Sequence, residues 1–236
     1  NSNFKQLFIY ENLQIQNNLI HGSFLAKVKN LIFLGSSCIY PKFCKQPMKE
    51  SYLLSGKLEE TNDAYAIAKI AGIMMCYNYS LKYKLNYHSL MPPNLFGPGD
   101  NYDLNNSHFF PALLKKIYLA KIKRKKMLNV WGTGKPKREL MFVEDFVDAL
   151  IFFMNKKIKE PFINIGVGKD FTIEWYANYI MKKLGIKLKI SYDKKKSDGM
   201  PRKCLDISLA KKYGWKPKNN LDYGFDLTLR DFLKNR

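Results

Sequence analysis

The stretch Leu31-Ile32-Phe33-Leu34-Gly35-Ser36-Ser37-Cys38-Ile39-Tyr40-Pro41, read together with Tyr65-Ala66-Ile67-Ala68-Lys69 further on, decides the fold. A short apolar run ended by small polar residues has the pattern of a buried strand that delivers its tip to a site. From Tyr65 onward the apolar spacing suits a helix packed beside a sheet. Residues four apart share a helix face, so Tyr65 and Lys69 can both point toward the strand end that carries Ser36. A hydroxyl, a phenol and an ammonium are then available to one reacting centre. A phenol exchanges protons poorly near neutrality, with a reference pKa of about 10, and a fixed cation favours its anion. Lys69 could lower the Tyr65 pKa while Ser36 hydrogen-bonds a substrate oxygen that gains or loses charge. The plainer reading makes Tyr65 an amphipathic core residue and Lys69 a solvated charge, and spacing alone does not separate the two.

The whole composition narrows the class. At 236 residues the chain can bury a sizeable core in one or two domains. Its 46% hydrophobic content, with 16 Phe and 15 Tyr, is that of a packed chain and argues against disorder. No apolar run approaches the ~20 residues of a membrane span and no secretory signal is visible at the start, so a cytoplasmic protein is expected. The formal charge of +20 raises contact with nucleic acid or an anionic membrane. The lysines are spread through turns and helices instead of forming one stripe with interleaved aromatics, so neither partner is expected. Cys38, Cys44, Cys76 and Cys204 show no metal-ligand spacing and no disulfide framework, and His21, His88 and His108 are scattered, so no metal is expected.

Outward from the deciding stretch, Phe4 to Asn30 repeats apolar groups at helical intervals, with Phe8, Ile9, Leu13, Ile20 and Leu25 as expected buried positions. Tyr87 to Met91 reads as a strand with a sharp exit at Pro92-Pro93-Asn94, and Phe109 to Leu119 as a helix. Leu140 to Phe153 reads as a strand end followed by a helix, with Glu144 and Asp145 favourable near the helix start. Phe162 to Gly166 forms another short strand, Ile173 to Leu184 a helix, and Leu188 to Ile190 an extended piece; Ile207 to Leu233 closes the chain structurally. Alternating strands and helices favour an α/β fold with a mostly parallel sheet. A dinucleotide-binding unit opens with a strand, a glycine-rich turn and a helix, and no such fingerprint precedes Leu31.

Seven segments carry a resemblance to one family: Ser36-Ser37-Cys38-Ile39-Tyr40-Pro41-Lys42, Glu59-Glu60-Thr61-Asn62, Tyr65 to Gly72, Met91-Pro92-Pro93-Asn94-Leu95-Phe96-Gly97-Pro98, Asn106-Ser107-His108, Val130-Trp131-Gly132-Thr133-Gly134 and Asp198-Gly199-Met200-Pro201-Arg202-Lys203. On them the chain from about Phe8 to Leu233 resembles the GDP-L-fucose synthases, or GDP-4-keto-6-deoxy-mannose 3,5-epimerase-4-reductases, a branch of the extended short-chain dehydrogenases/reductases. A Tyr and a Lys four apart mark only the broad superfamily. The cysteine two after Ser36, joined with Asn-Ser-His, is much more specific to this branch.

The resemblance implies an incomplete Rossmann-like core over 1–98 and 138–170 and a smaller substrate-binding portion over 99–137 and 171–236. It also implies roughly 70 residues upstream with the first strands and the glycine-rich turn, so the sequence looks like the later part of a longer enzyme. NADP(H) as cofactor, a GDP-sugar as substrate and a helix-packed homodimer follow from the same likeness. In the resembled reaction Cys38 and His108 move protons at sugar carbons 3 and 5, hydride goes to carbon 4, and Tyr65 protonates the resulting oxygen with Lys69 and Ser36 assisting. The implied cofactor contacts are Gly35, Ser36, Ser37, Tyr65, Lys69, Pro92, Pro93, Asn94, Leu95 and His108. Those implied for the GDP-sugar are Lys116, Trp131, Arg138, Asp198 and Arg202. The family usually has threonine where this chain has Pro93, which removes a backbone donor and a hydroxyl. Taken alone, Cys38 could be a buried strand-end thiol, and His108 a helix-cap neighbour or a packed imidazole. A related NAD-dependent sugar-nucleotide epimerase or dehydratase and a non-catalytic nucleotide-sugar-binding subunit stay open, the first disfavoured by Cys38 with His108.

Overall fold

The computed structural model describes residues 4–104 and 106–234. Helix α1 (Lys5–Leu25) leads into strand β1 (Asn30–Leu34), whose exit winds into one 3-10 turn over Ser37–Ile39. Helix α2 (Asp63–Tyr83) returns the chain to β2 (Asn86–Met91), and β3 (Asn94–Phe96) follows after Pro92-Pro93. Next come α3 (Phe109–Ile122), β4 (Met127–Trp131), β5 (Lys137–Arg138), β6 (Leu140–Phe142), α4 (Val143–Met154) and β7 (Phe162–Asn164). The chain closes with β8 (Phe171–Thr172), α5 (Ile173–Lys183), β9 (Lys189–Asp193), β10 (Arg202–Lys203), α6 (Ser208–Lys212) and α7 (Leu221–Lys234).

Strands β1, β2 and β7 form a parallel sheet in that order, with parallel pairs β3–β6 and β4–β9 beside it. Strand β5 pairs in parallel with β10 and antiparallel with β8. The expected α/β fold with mostly parallel pairing is observed, and it is Rossmann-like. One apolar cluster joins Phe96, Leu114, Ile117, Val130, Tyr176 and Phe225, and a second packs Leu90 and Ile163 against Phe146 and Phe153 of α4.

The elements form for local reasons. The Thr172 hydroxyl accepts from Trp175 N at 3.0 Å to cap α5, with Glu174 in its first turn and Lys182 and Lys183 in its last. Pro111 sits in the first turn of α3, where the missing N–H costs no helical bond. Helices α1 and α2 are tied by Gln16 Nε2 donating to Ala68 O at 2.6 Å and by the pair Lys5–Asp63.

Two burial expectations fail. Strand β1 is only partly covered, with Leu34 44% exposed, because it is an edge strand paired with β2 alone among the described residues. On α1, Ile20 is buried, Phe8, Ile9 and Leu13 are half-buried, and Leu25 is exposed. Helix periodicity marks a face but not what covers it.

Parallel register places the site. Leu34 lies opposite Leu90, so the exits of β1 and β2 emerge side by side. Gly35 N donates to Leu90 O at 3.0 Å and Ser37 N to Pro92 O at 3.1 Å. A Cβ at Gly35 would run into the end of the buried Met91 side chain, so any larger residue there would force Met91 to move. Beneath them, buried Asn164 uses its whole amide: Oδ1 accepts from Tyr40 Oη at 2.6 Å, and Nδ2 donates to Met48 O and Asp206 O. Its backbone N–H donates to Glu50 Oε1.

Candidate active site

Cys38 occupies the 3-10 turn that follows β1, half-buried, with its N–H donated to the Ser36 hydroxyl at 3.2 Å. The Lys203 ammonium reaches its sulfur at 3.1 Å. Burial works against ionisation, but the charge of Lys203, the Ser36 hydroxyl and the Arg138 guanidinium outweigh it. The thiol therefore sits below its ordinary pKa. A depressed thiol pKa is what a proton-abstracting cysteine requires.

Tyr65 stands on the second residue after Asp63, the start of α2, and shares the Ser36 hydroxyl. Burial and the neighbouring Cys38 push its phenol up to about 12, partly offset by Ser36. The expected depression by Lys69 is absent. The Lys69 ammonium donates to Leu34 O at 3.0 Å and lies 5.6 Å from the Tyr65 ring centroid, over the ring instead of beside its oxygen. Burial also lowers the Lys69 pKa.

A second group lines a cavity of about 240 Å³ bounded by Lys116 of α3, Trp131 at the end of β4, Arg138 of β5, and Asp198. The Trp131 ring lies under two cations, Lys116 Nζ at 4.7 Å and Lys196 Nζ at 5.4 Å from its centroid. Asp198 accepts from Thr133 N and Thr133 Oγ1, each at 2.7 Å, and its carbonyl accepts from Arg138 Nη2 at 3.2 Å. At Gly132, with φ of +74°, any Cβ would strike Asp198 Oδ1. Arg138 joins the two groups, since it borders the cavity and also favours the Cys38 thiolate. The cavity thus offers cations, an aromatic face and a carboxylate, which suits a nucleoside diphosphate.

His108 is exposed at the N-terminal end of α3, beside cavity-lining Ser107 and near Asp100. It lies at the rim, not among the groups that contact Cys38. The expected cofactor residues Gly35, Ser36, Ser37, Pro92, Pro93, Asn94 and Leu95 all fall at the adjoining exits of β1 and β2, where parallel sheets bind ligands. Asn94 Nδ2 donates to Glu139 O at 3.3 Å.

Arg202 is not among the residues that line the cavity; it makes a two-pronged ion pair with Asp170 at 2.6 and 2.9 Å. Adjacent strand residues point to opposite faces, so on β10 only one of Arg202 and Lys203 can turn inward, and it is Lys203. Sequence reading missed Lys203. Strand alternation across the Arg-Lys pair was the available signal, but it does not say which face is the inner one.

Known proteins bear directly on this arrangement. Residues 1–166 match the NAD dependent epimerase/dehydratase family. A GDP-L-fucose synthase of Sinorhizobium fredii is 46% identical over 228 residues, 97% of this chain and 73% of its own length. A crystal structure of a GDP-6-OMe-4-keto-L-xylo-heptose reductase from C. jejuni superposes with a TM-score of 0.92 at 32% identity, covering 100% of this chain and 79% of that one. A GDP-mannoheptose C4 reductase from Campylobacter jejuni with NADP bound gives a TM-score of 0.88 at 33% identity, over 99% and 78% of the two chains. With the Ser-Cys turn, the Tyr–Lys helix and the Trp–Arg cavity in place, the chain belongs to the NAD dependent epimerase/dehydratase family, on the branch of the GDP-L-fucose synthases.

Proposed function

We propose that this chain carries the catalytic and sugar-nucleotide-binding parts of an NADP(H)-dependent enzyme that epimerises GDP-4-keto-6-deoxy-D-mannose at carbons 3 and 5 and reduces carbon 4, giving GDP-L-fucose. The likeness to GDP-L-fucose synthases and to a reductase with NADP bound supports the reaction and cofactor. The observation that carries the reading is Cys38 in contact with Lys203 beside Tyr65, linked through the charge of Arg138 to the cavity that Arg138 and Trp131 line.

The residues fit a nicotinamide ribose. The strand exits approach closely at Gly35, and Tyr65 and Lys69 rise from α2 beside them. Ser36, Tyr65, Lys69 and the backbone from Pro92 to Leu95 would hold it, and when bound it supplies hydride for carbon 4. Pro93 lies half-buried where the chain passes from β2 to β3. Lys116 and Arg138 meet the diphosphate, Trp131 packs on the nucleoside, and Asp198 accepts from ribose or base donors. Cys38, acting as the thiolate, takes a proton from a carbon next to the ketone, and His108 delivers one on the opposite side. Tyr65, kept protonated by its raised pKa of about 12, donates its proton to the oxygen at carbon 4, with the Ser36 hydroxyl bonded to it.

We read 1–98 and 138–170 as the dinucleotide core and 99–137 and 171–236 as the substrate portion. The cluster of Leu113, Val130, Ile180 and Phe225 supports a separate core for the latter, though Ala210 and Trp215 pack with α4. A homodimer through α1 and α2 is consistent with the exposed Tyr10, Ile15, Leu19, Ile67 and Leu81, and sedimentation would test it. Among the described residues no helix is long and apolar enough to cross a membrane. The function is tested by supplying the keto-sugar nucleotide and NADPH and identifying the product. GDP-L-fucose is expected; a product reduced at carbon 4 without inversion at carbons 3 and 5 would reject the epimerase half.

A further inference from the structure

Buried Glu139 has no role in the reaction sketched above, yet it touches the backbone behind both cations at Cys38. It sits between β5 and β6, fully buried. One carboxylate oxygen accepts from Val167 N at 2.5 Å and Gly168 N at 2.7 Å, the other from Leu205 N at 2.7 Å. Its own N–H donates to Lys203 O at 3.0 Å. A Cβ at Gly166 would collide with the carboxylate, so the loop after β7 is built to close on it. Gln46 holds the same segment from the other side, donating to Arg202 O and accepting from Cys204 N, each at 3.1 Å. Lys203 pairs in register with Arg138, so the two cations share one frame.

We propose that Glu139 is a positioning residue: by binding the backbone around Lys203, it holds the ammonium against the Cys38 sulfur. The lysine stem is flexible and loses side-chain entropy when fixed, so the contact at 3.1 Å depends on a backbone that does not drift. The carboxylate supplies two acceptor oxygens to three N–H groups; a carboxamide supplies one and turns its NH2 toward an N–H. Burial raises Glu139 to about 7, against the pull of the Leu205, Gly168 and Val167 N–H groups and with the help of Asp170. Protonation would replace an acceptor with a donor, so the frame loosens as pH falls through that value. Lys203, Arg138, Ser36 and Tyr65 face Cys38, and Asp170, Tyr176 and Cys204 face Glu139.

The inference rests on the reading of Cys38 as an ionised base, and its test is independent of turnover. The pH profile of Cys38 alkylation by iodoacetamide is followed by peptide-resolved mass spectrometry, which separates Cys38 from the other three cysteines. In Glu139→Gln the apparent alkylation pKa rises by about one unit, a loss of up to about tenfold in thiolate below that pKa. Lys203→Met gives a rise at least as large, and the double variant adds little to it, since both act through one contact. Glu139→Asp keeps the charge on a shorter arm, folds where the amide fails, and gives an intermediate rise. Unshifted profiles in the folded Glu139 variants, or a double variant whose shift is the sum of the single ones, would overturn the proposal. If the enzyme proves to make another product, the alkylation result stands or falls separately.

Discussion

His88 makes the stability of this fold sensitive to acid in a way that can be isolated. It lies in the middle strand of the main sheet at 2% exposure, opposite Ile32, and neither ring nitrogen finds a well-formed hydrogen bond. Asn86, His88 and Leu90 share one strand face, and the Leu90 contacts with Phe146, Ala149 and Phe153 identify it as the face under α4. Burial lowers the His88 pKa from 6.5 to about 4, with the Asn86 backbone offsetting only part of the loss. The native state holds the ring neutral, while the unfolded chain takes up a proton near pH 6.5. Above that value His88 costs no pH-dependent stability; below it, stability falls until the native ring also titrates near pH 4. Linkage gives a loss of about 2 kcal/mol by pH 5 and about 3 kcal/mol when both states are protonated. The perturbation is His88→Leu, which removes two poorly bonded buried nitrogens and should be neutral or stabilising at pH 7.5. Urea unfolding of both proteins between pH 7.5 and 5 reads the effect as a difference, in which contributions from distant carboxylates cancel. The wild type should lose about 2 kcal/mol more than the variant over that range. Parallel stability curves, separated by a constant offset, would refute the assignment of a neutral, depressed imidazole.

Three further outcomes follow from the site and its frame. Cys38→Ser removes the thiol whose pKa Lys203 lowers, so solvent deuterium incorporation at carbons 3 and 5 should fall at least about 100-fold; unchanged exchange would reject the cysteine as base. Trp131→Ala strips the ring held beneath Lys116 and Lys196, and calorimetric titration with GDP should show a loss of about 1–2 kcal/mol, roughly five- to thirtyfold. Asp145 is 1% exposed and accepts from Lys218 N, Asn219 N and Asn219 Nδ2, so Asp145→Ala should lower the urea midpoint by an amount equivalent to about 1–3 kcal/mol.

What could be read from the sequence divides along physical lines. Helix α2 and strand β2 were legible because their periodicity is local, and with them the adjacency of Tyr65 and Ser36. Trp131 and Arg138 were found through resemblance, and the cavity does bring them together with Lys116 and Asp198. Lys203 escaped because its importance depends on which side of a two-residue strand faces inward, a matter settled by pairing with β5. The same pairing turns Arg202 away to Asp170. The exposure of Leu34 was illegible for a related reason: an apolar residue records that a partner is favourable, not how much of the residue that partner covers. Glu139, within a Lys-Arg-Glu run, reads as a surface charge until three backbone donors from two distant loops are seen to meet it.

The amide of Asn164 ties the turn after β1, the segment near Met48 and the strand end before α6 to the floor of the sheet. Each of these bonds engages a different stretch of chain, so opening any one of them alone gains little conformational freedom. The backbone amides of Met48, Ile165 and Asp206, which donate to Cys204, Met91 and Met48 respectively, should therefore exchange with deuterium at one common rate. Such a region behaves as a single foldon, opening as one unit beneath the turn that carries Cys38.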